Sequence, residues 1–295
     1  MEAQEYSYVK REILKLTGVD LNCYKTPQVQ RRLRTFLLRS GYNVWTDFFH
    51  ALQDDADIDR ASVTLANLKD YLTINVSSFF RDPDKFEYLR ESILPELLRN
   101  RPRLHVWSAG CSHGHEPYTL AILLAEATGI NCRHRILATD IDHSALERAR
   151  AGGPYSAEEV GNLPPLLLSR YFEVYRDIDS RARSRSAASE SSYRITQSLR
   201  NRITYRYHNL LADPFENGFD LIVCRNVVIY FTPEVKARLY DRFHQALRPG
   251  GVLFVGGTEF LSKASDIGFE SAGMSFYRRI GDVPRSREYH VSPET

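Results

Sequence analysis

Residues 104–117 read Leu104-His105-Val106-Trp107-Ser108-Ala109-Gly110-Cys111-Ser112-His113-Gly114-His115-Glu116-Pro117, and this stretch decides the fold. Residues 104–107 form a short apolar run of the kind a buried strand presents. The run ends in the small residues Ser108-Ala109-Gly110, and a helix is expected over residues 117–126, proline being tolerated in a first turn. Moving outward, residues 135–140 (Arg-Ile-Leu-Ala-Thr-Asp) read as a second strand, and a second helix begins at Ser144. Further strands are expected at 203–207 and 219–224, then a helix over 233–247. Pro249-Gly250-Gly251 reads as a turn into a strand at 252–255. Strands alternating with helices imply a mostly parallel sheet covered on both faces, an α/β, Rossmann-like domain. Residues 269–280 hold two strand-like runs split by Ala272-Gly273, a closing hairpin.

Two regions depart from that alternation. Residues 1–72 carry helical spacing throughout, with Val29, Leu33, Phe36 and Leu37 in one stripe and Trp45, Phe48, Phe49 and Leu52 in the next. They are read as an all-α N-terminal domain, and residues 73–281 as the α/β domain. Inside the latter, 171–175 and 193–196 are strand-like and flank a Ser/Arg/Ala-rich stretch, giving a small inserted β subdomain over 171–200. Residues 282–295 are polar and read as a flexible tail.

The chain has 295 residues, 43% hydrophobic and 26% charged, with a net charge of +2. That balance suits a globular protein and argues against a polycation that coats nucleic acid. The apolar runs are too short to span a bilayer, so no membrane insertion is expected. Residues 1–10 lack the apolar core of a signal peptide. Cys23, Cys111, Cys132 and Cys224 are scattered, without a CxxC pair or a Cys/His ligand set, which excludes a metal centre from the reading and suits reduced thiols in the cytoplasm.

An open parallel sheet binds its ligand beyond the carboxyl ends of its strands. At that edge the sequence sets the glycine turn after the first strand, Asp140 ending the second, Asn209 after the third and Arg225-Asn226 after the fourth. Glu116 opens the first helix beside them. An acid at the position of Asp140 can accept from both hydroxyls of a ribose; the competing reading is that it merely caps the next helix. The G-x-G-x-x-G run is missing, which favours an adenosine without a diphosphate over a dinucleotide.

Here the residues become recognisable. Leu72-Thr73-Ile74-Asn75-Val76-Ser77-Ser78-Phe79-Phe80-Arg81 resembles the motif that opens the catalytic domain of CheR-type chemotaxis receptor methyltransferases. Trp107-Ser108-Ala109-Gly110-Cys111-Ser112 with Glu116-Pro117-Tyr118-Thr119, Ala138-Thr139-Asp140-Ile141-Asp142, and Cys224-Arg225-Asn226-Val227-Val228-Ile229-Tyr230-Phe231 are similar to that family's later motifs, in order, over roughly residues 20–280. The resemblance implies an enzyme that uses S-adenosylmethionine to methylate glutamate side chains on the cytoplasmic helices of chemoreceptors, releasing S-adenosylhomocysteine. It implies cofactor contacts at Asn75, Ser77, Arg81, Glu116, Asp140, Asn209, Leu210, Arg225 and Asn226, and sets Arg81 and Tyr230 beside the transferring methyl. His115 stands where the family usually has an acid, and His113 is unusual in the same loop; both read as solvent-facing loop histidines.

For Tyr230 the competing reading is core packing, and for Arg81 an ion pair with Asp82 or Asp84. Residues 25–39 hold Lys25, Arg31, Arg32, Arg34 and Arg39 with no acid among them. Arg31 and Arg34, three apart, share a helix face. An acidic partner helix would be steered by that face, against the alternative of a plain solvated surface. Aromatics are not interleaved there as single-strand nucleic-acid binders require, so nucleic acid is set aside. Arg181, Arg183 and Arg185 form a second candidate docking element. A monomer is expected. Rival readings are a module that senses S-adenosylmethionine or its product without transferring methyl, a methyltransferase for another protein or a small molecule, and an NAD oxidoreductase.

Overall fold

The protein is described from a computed structural model, which covers residues 1–53, 65, 67–68, 71–72, 75, 77–175, 192–261 and 263–281. The basic loop with Arg181, Arg183 and Arg185, the tail at 282–295, and Thr73, Ile74 and Val76 of the opening motif lie outside the described residues.

The N-terminal unit contains α1 (Ala3–Thr17), α2 (Thr26–Arg39) and α3 (Trp45–Gln53). Each buries the face its spacing dictates: Tyr6, Val9 and Ile13 on α1, Val29, Leu33, Phe36 and Leu37 on α2, and Trp45, Phe48 and Phe49 on α3. α1 stops at Gly18, which takes a left-handed φ of 74° and donates its N–H to the Leu14 carbonyl at 2.9 Å.

Next come α4 (Pro83–Tyr88), a π-helical stretch (Leu89–Ile93) and α5 (Leu94–Asn100). The α/β unit follows: β1 (His105–Ala109), α6 (His115–Thr128), β2 (Arg135–Asp140), α7 (His143–Ala151), α8 (Pro165–Tyr171), β3 (Phe172–Tyr175), β4 (Ser192–Ile195), α9 (Gln197–Arg200), β5 (Ile203–Tyr207), β6 (Phe219–Cys224), α10 (Pro233–Ala246), β7 (Leu247–Val255), β8 (Phe269–Ser271) and β9 (Phe276–Arg279). Seven strands lie in the order β5-β2-β1-β6-β7-β9-β8, and β9 runs against its neighbours. Every residue of β1 and β6 is buried, as central strands covered on both faces must be. Alternate side chains serve two cores. Val106, Leu221 and Phe254 join α6 residues such as Ile122 on one side, while Trp107, Ile222 and Leu253 meet Leu239 and Phe243 of α10 on the other.

β3 and β4 pair antiparallel as the expected β excursion, in register Phe172↔Ile195 to Tyr175↔Ser192. Pro249-Gly250-Gly251 differs from the expectation of a turn. β7 begins at Leu247, before the tripeptide, and the partner register jumps from Phe219↔Leu247 to Leu221↔Val252. The extra residues form a bulge in a continuous ladder, with Gly250 at φ 77°. Among the described residues no helix is long and apolar enough to cross a membrane.

Candidate active site

The chain winds from β1 out to β2 and β5, then returns to β6 on the other side, so the order reverses between β1 and β6. Beyond their carboxyl ends lies a cleft of about 220 Å³, walled on its far side by Leu21, Tyr24, Val29 and Arg32 of the helical unit. A second cavity beside Ala121 and His134 has about 10 Å³, room for roughly one water, so the cleft is the one of the two that admits an adenosine-sized ligand.

Asp140 ends β2 inside this cleft and is 9% exposed. Its Oδ2 accepts from Ser112 N at 2.7 Å and its Oδ1 from Asp142 N at 3.0 Å, leaving each oxygen further acceptor capacity. Burial pushes its pKa up to about 6, against those backbone donors. The cap of α7 is a different residue: Asp142 accepts from Ala145 N at 3.0 Å. Asn75 joins the same corner, donating to Asp142 Oδ2 at 2.6 Å and accepting from Ser112 Oγ at 2.8 Å.

On the opposite flank, Arg225 is 6% exposed and acts as a hub. Its Nη2 donates to the Arg81 carbonyl at 2.8 Å and pairs with Asp82, and its Nη1 lies 3.7 Å from Glu116 Oε2. The guanidinium sits 4.9 Å from the ring centres of both Phe86 and Phe254, so its flat faces are covered while its edge is spent on carboxylates. Asp82 is thereby engaged by Arg225. Glu116 accepts from Ser108 Oγ at 2.7 Å; burial raises its pKa, opposed by Arg225 and that hydroxyl.

Tyr230 lies on the loop after β6, half-buried at the cleft, and its carbonyl accepts from Lys25 N at 2.9 Å. Burial raises its phenol pKa, with Arg32 and Arg81 pulling it down, and both cations line the same cleft. Cys23, Tyr24 and Lys25 clamp this loop to the start of α2: Thr232 N donates to the Cys23 carbonyl at 3.0 Å, and Tyr24 bridges Phe231, edge to ring at 5.0 Å.

All ten residues expected at the site line the one cleft: Asn75, Ser77, Arg81, Glu116, Asp140, Asn209, Leu210, Arg225, Asn226 and Tyr230. Arg31 and Arg34 do not. They are exposed on α2, whereas Arg32 between them turns inward, donating to the Tyr71 carbonyl with its guanidinium 4.7 Å from the Tyr71 ring centre. Its position, three after Val29 and four before Phe36, already set it at the margin of the apolar stripe.

The histidines contradict the solvent-facing reading. His115 is fully buried, with Nε2 2.9 Å from Glu159 and its ring 4.9 Å from both Phe79 and Tyr155. His113 is half-buried, its Nδ1 3.2 Å from Arg148, and burial followed by that cation lowers its pKa to about 4. They sit behind the loop, packed on the segment after α7, because Gly114 lets the chain turn inward where Ala149 and Tyr118 press close.

The donor set fits S-adenosylmethionine. Asp140 offers acceptors for vicinal hydroxyls, Ile141, Leu210 and Leu211 an apolar strip for a flat base, and Ser77, Glu116 and Arg225 polar partners for a zwitterionic tail. Gly110, at φ 84°, leaves bare backbone on the floor; a Cβ there would come 2.5 Å from Val227 Cγ2. Fold and cleft together define a Rossmann-like S-adenosylmethionine-dependent methyltransferase. Two family models cover nearly the whole described chain: the CheR methyltransferase all-alpha domain over residues 4–73 and the CheR methyltransferase SAM-binding domain over residues 75–277. The chain belongs to the CheR methyltransferase family. It is 37% identical to a chemotaxis protein methyltransferase of Listeria innocua and 38% identical to one of Listeria monocytogenes, each over 93% of this chain and 97% of the relative. Chemotaxis protein methyltransferase 1 of Pseudomonas aeruginosa is 33% identical over 85% of this chain and 88% of its own.

Proposed function

We propose that this enzyme methylates glutamate side chains on the acidic cytoplasmic helices of chemoreceptors, acting as a monomer in the cytoplasm and yielding glutamate methyl esters and S-adenosylhomocysteine. The observation that carries the reading is the convergence of Arg81, Arg32 and Tyr230 in the lining of one cleft, beside a helix whose exposed side presents Arg31 and Arg34. Bound S-adenosylmethionine supplies an electrophilic methyl on its sulfonium. A glutamate has an ordinary pKa of roughly 4.3, so the acceptor arrives as an anion and asks the protein for alignment rather than for a base. Arg81 and the Tyr230 hydroxyl orient that carboxylate, each with donors that hold without burying it deeply. A grip too tight would slow the reaction, because the oxygen loses its charge as the ester forms. Asp140, Asn75, Asn209, Asn226 and the aliphatic strip at Leu210 hold the cofactor, with Ser77, Glu116 and Arg225 at its far end.

The names of the relatives support a chemotaxis acceptor, and the basic outer side of α2 supports an acidic one. Incubation with methyl-labelled S-adenosylmethionine and receptor cytoplasmic domains tests the reading. Label that enters the receptor and leaves under mild base is the expected outcome of a carboxyl ester. Base-stable label, or label confined to small molecules, would refute it.

A further inference from the structure

Behind the loop that carries Asn226 and Tyr230 lies an acid outside the cleft lining. Glu259, in the turn after β7, is 2% exposed. Its Oε2 accepts from Gly256 N at 2.6 Å and from Asn226 N at 2.9 Å, and its Oε1 from Ile229 N at 3.2 Å. One buried carboxylate therefore satisfies three backbone donors on two segments that have left their strands. Those amides have no ladder partner at this point, and a buried N–H without an acceptor is costly. Bonds to an ionised acceptor are the stronger kind.

The loop needs such a hold. Asn226 sits at φ 60°, a left-handed conformation that a non-glycine residue adopts only under local constraint, and Val228–Tyr230 follows as a single 3-10 turn. Gly256 completes the fit: a Cβ there would run into the Glu259 carboxylate and approach Asn226 N to 3.0 Å. Burial raises the pKa of Glu259, while the three amides and Arg225 pull it back toward the ionised form.

We propose that Glu259 is a positioning residue for the cofactor site, holding the Asn226 backbone in its left-handed turn so that the Asn226 side chain, and Tyr230 on the same loop, face the cleft. The proposal rests on the reading of Asn226 as a cofactor contact. Glu259 acts through that residue and does not itself touch the ligand.

Calorimetric binding of S-adenosylhomocysteine to the full chain tests it with four variants: Asn226→Ala, Glu259→Gln, the double variant, and Glu259→Asp. Glu259→Gln turns one acceptor oxygen into a donor against backbone donors. We expect it to weaken binding about tenfold or more. If the acid acts through Asn226, the double variant binds no more than about threefold less tightly than the weaker single. A thermal melt establishes which variants fold, and Glu259→Asp, which keeps the charge but shortens its reach, serves if the amide variant does not; it too should bind more weakly. Normal affinity in the folded Glu259 variants, or losses that simply multiply in the double, would overturn the proposal. Normal affinity in Asn226→Ala would instead remove Asn226 from the cofactor site, and the proposal with it.

Discussion

Arg81 and Asp140 carry the sharpest expectations at the scale of single residues. Arg81 reaches the cleft from a segment whose backbone is pinned by Arg225, so trimming its side chain leaves that anchor in place. Arg81→Ala should lose about 10²-fold or more in turnover while melting near wild type; near-normal methylation of a receptor fragment would take Arg81 out of its role. Asp140, with its pKa raised to about 6, would accept from ribose hydroxyls best as the carboxylate. Affinity for S-adenosylhomocysteine should hold at neutral pH and fall as pH drops through about 6, and Asp140→Asn should flatten that profile in a calorimetric titration. Stability runs the other way. A folded pKa above the ordinary 3.8 means that this group's contribution is present below that value and lost as pH rises through about 6. The place of Asp140, Asn209, Arg225 and Asn226 in the cleft lining was legible in the sequence, because each stands at or just past the end of a strand that reads clearly on its own. Glu259 was not, because two of its three partners are backbone amides from a segment about thirty residues earlier, and no side-chain pattern announces them.

At the scale of elements, strands and helices followed their apolar periods, and the misreadings came where glycines admit two geometries. Pro249-Gly250-Gly251 spells a turn, but the pull of β6 on both sides of it keeps the chain in the sheet and turns the surplus into a bulge. Gly114 likewise sends His113 and His115 under the loop instead of into solvent. There Glu159 receives His115 Nε2 at 2.9 Å, Arg148 Nη2 at 2.8 Å and Ser156 N at 2.8 Å, tying α6, α7 and the segment after it together. Burial opposes its charge, but these three donors hold its pKa down to about 2. Its contribution to stability is therefore present above the ordinary 4.5 and lost as pH falls through about 2. Glu159→Gln should cost about 1–3 kcal/mol in urea unfolding near neutral pH, and a variant as stable as wild type would show the cluster to be incidental.

Over the whole molecule, α2 faces two ways. Val29 of its inner stripe and Arg32 line the cleft, while Arg31 and Arg34 look outward. The spacing of Arg31 and Arg34 was readable; that the start of α2 also clasps the Tyr230 loop was not, since the Tyr24–Phe231 bridge joins residues about two hundred positions apart. Reversing Arg31 and Arg34 to Glu should slow receptor methylation and flatten its salt dependence while leaving S-adenosylhomocysteine affinity within about twofold. Unchanged methylation would return that face to plain solvated surface. If one sheet edge and one helical unit align a cofactor's sulfur with an anionic oxygen, a crystal structure of the complex with S-adenosylhomocysteine will display that alignment. The expected result has the ribose on Asp140 and the sulfur facing Arg81 and Tyr230. A ligand bound elsewhere, or those two side chains directed away from its sulfur, would contradict it.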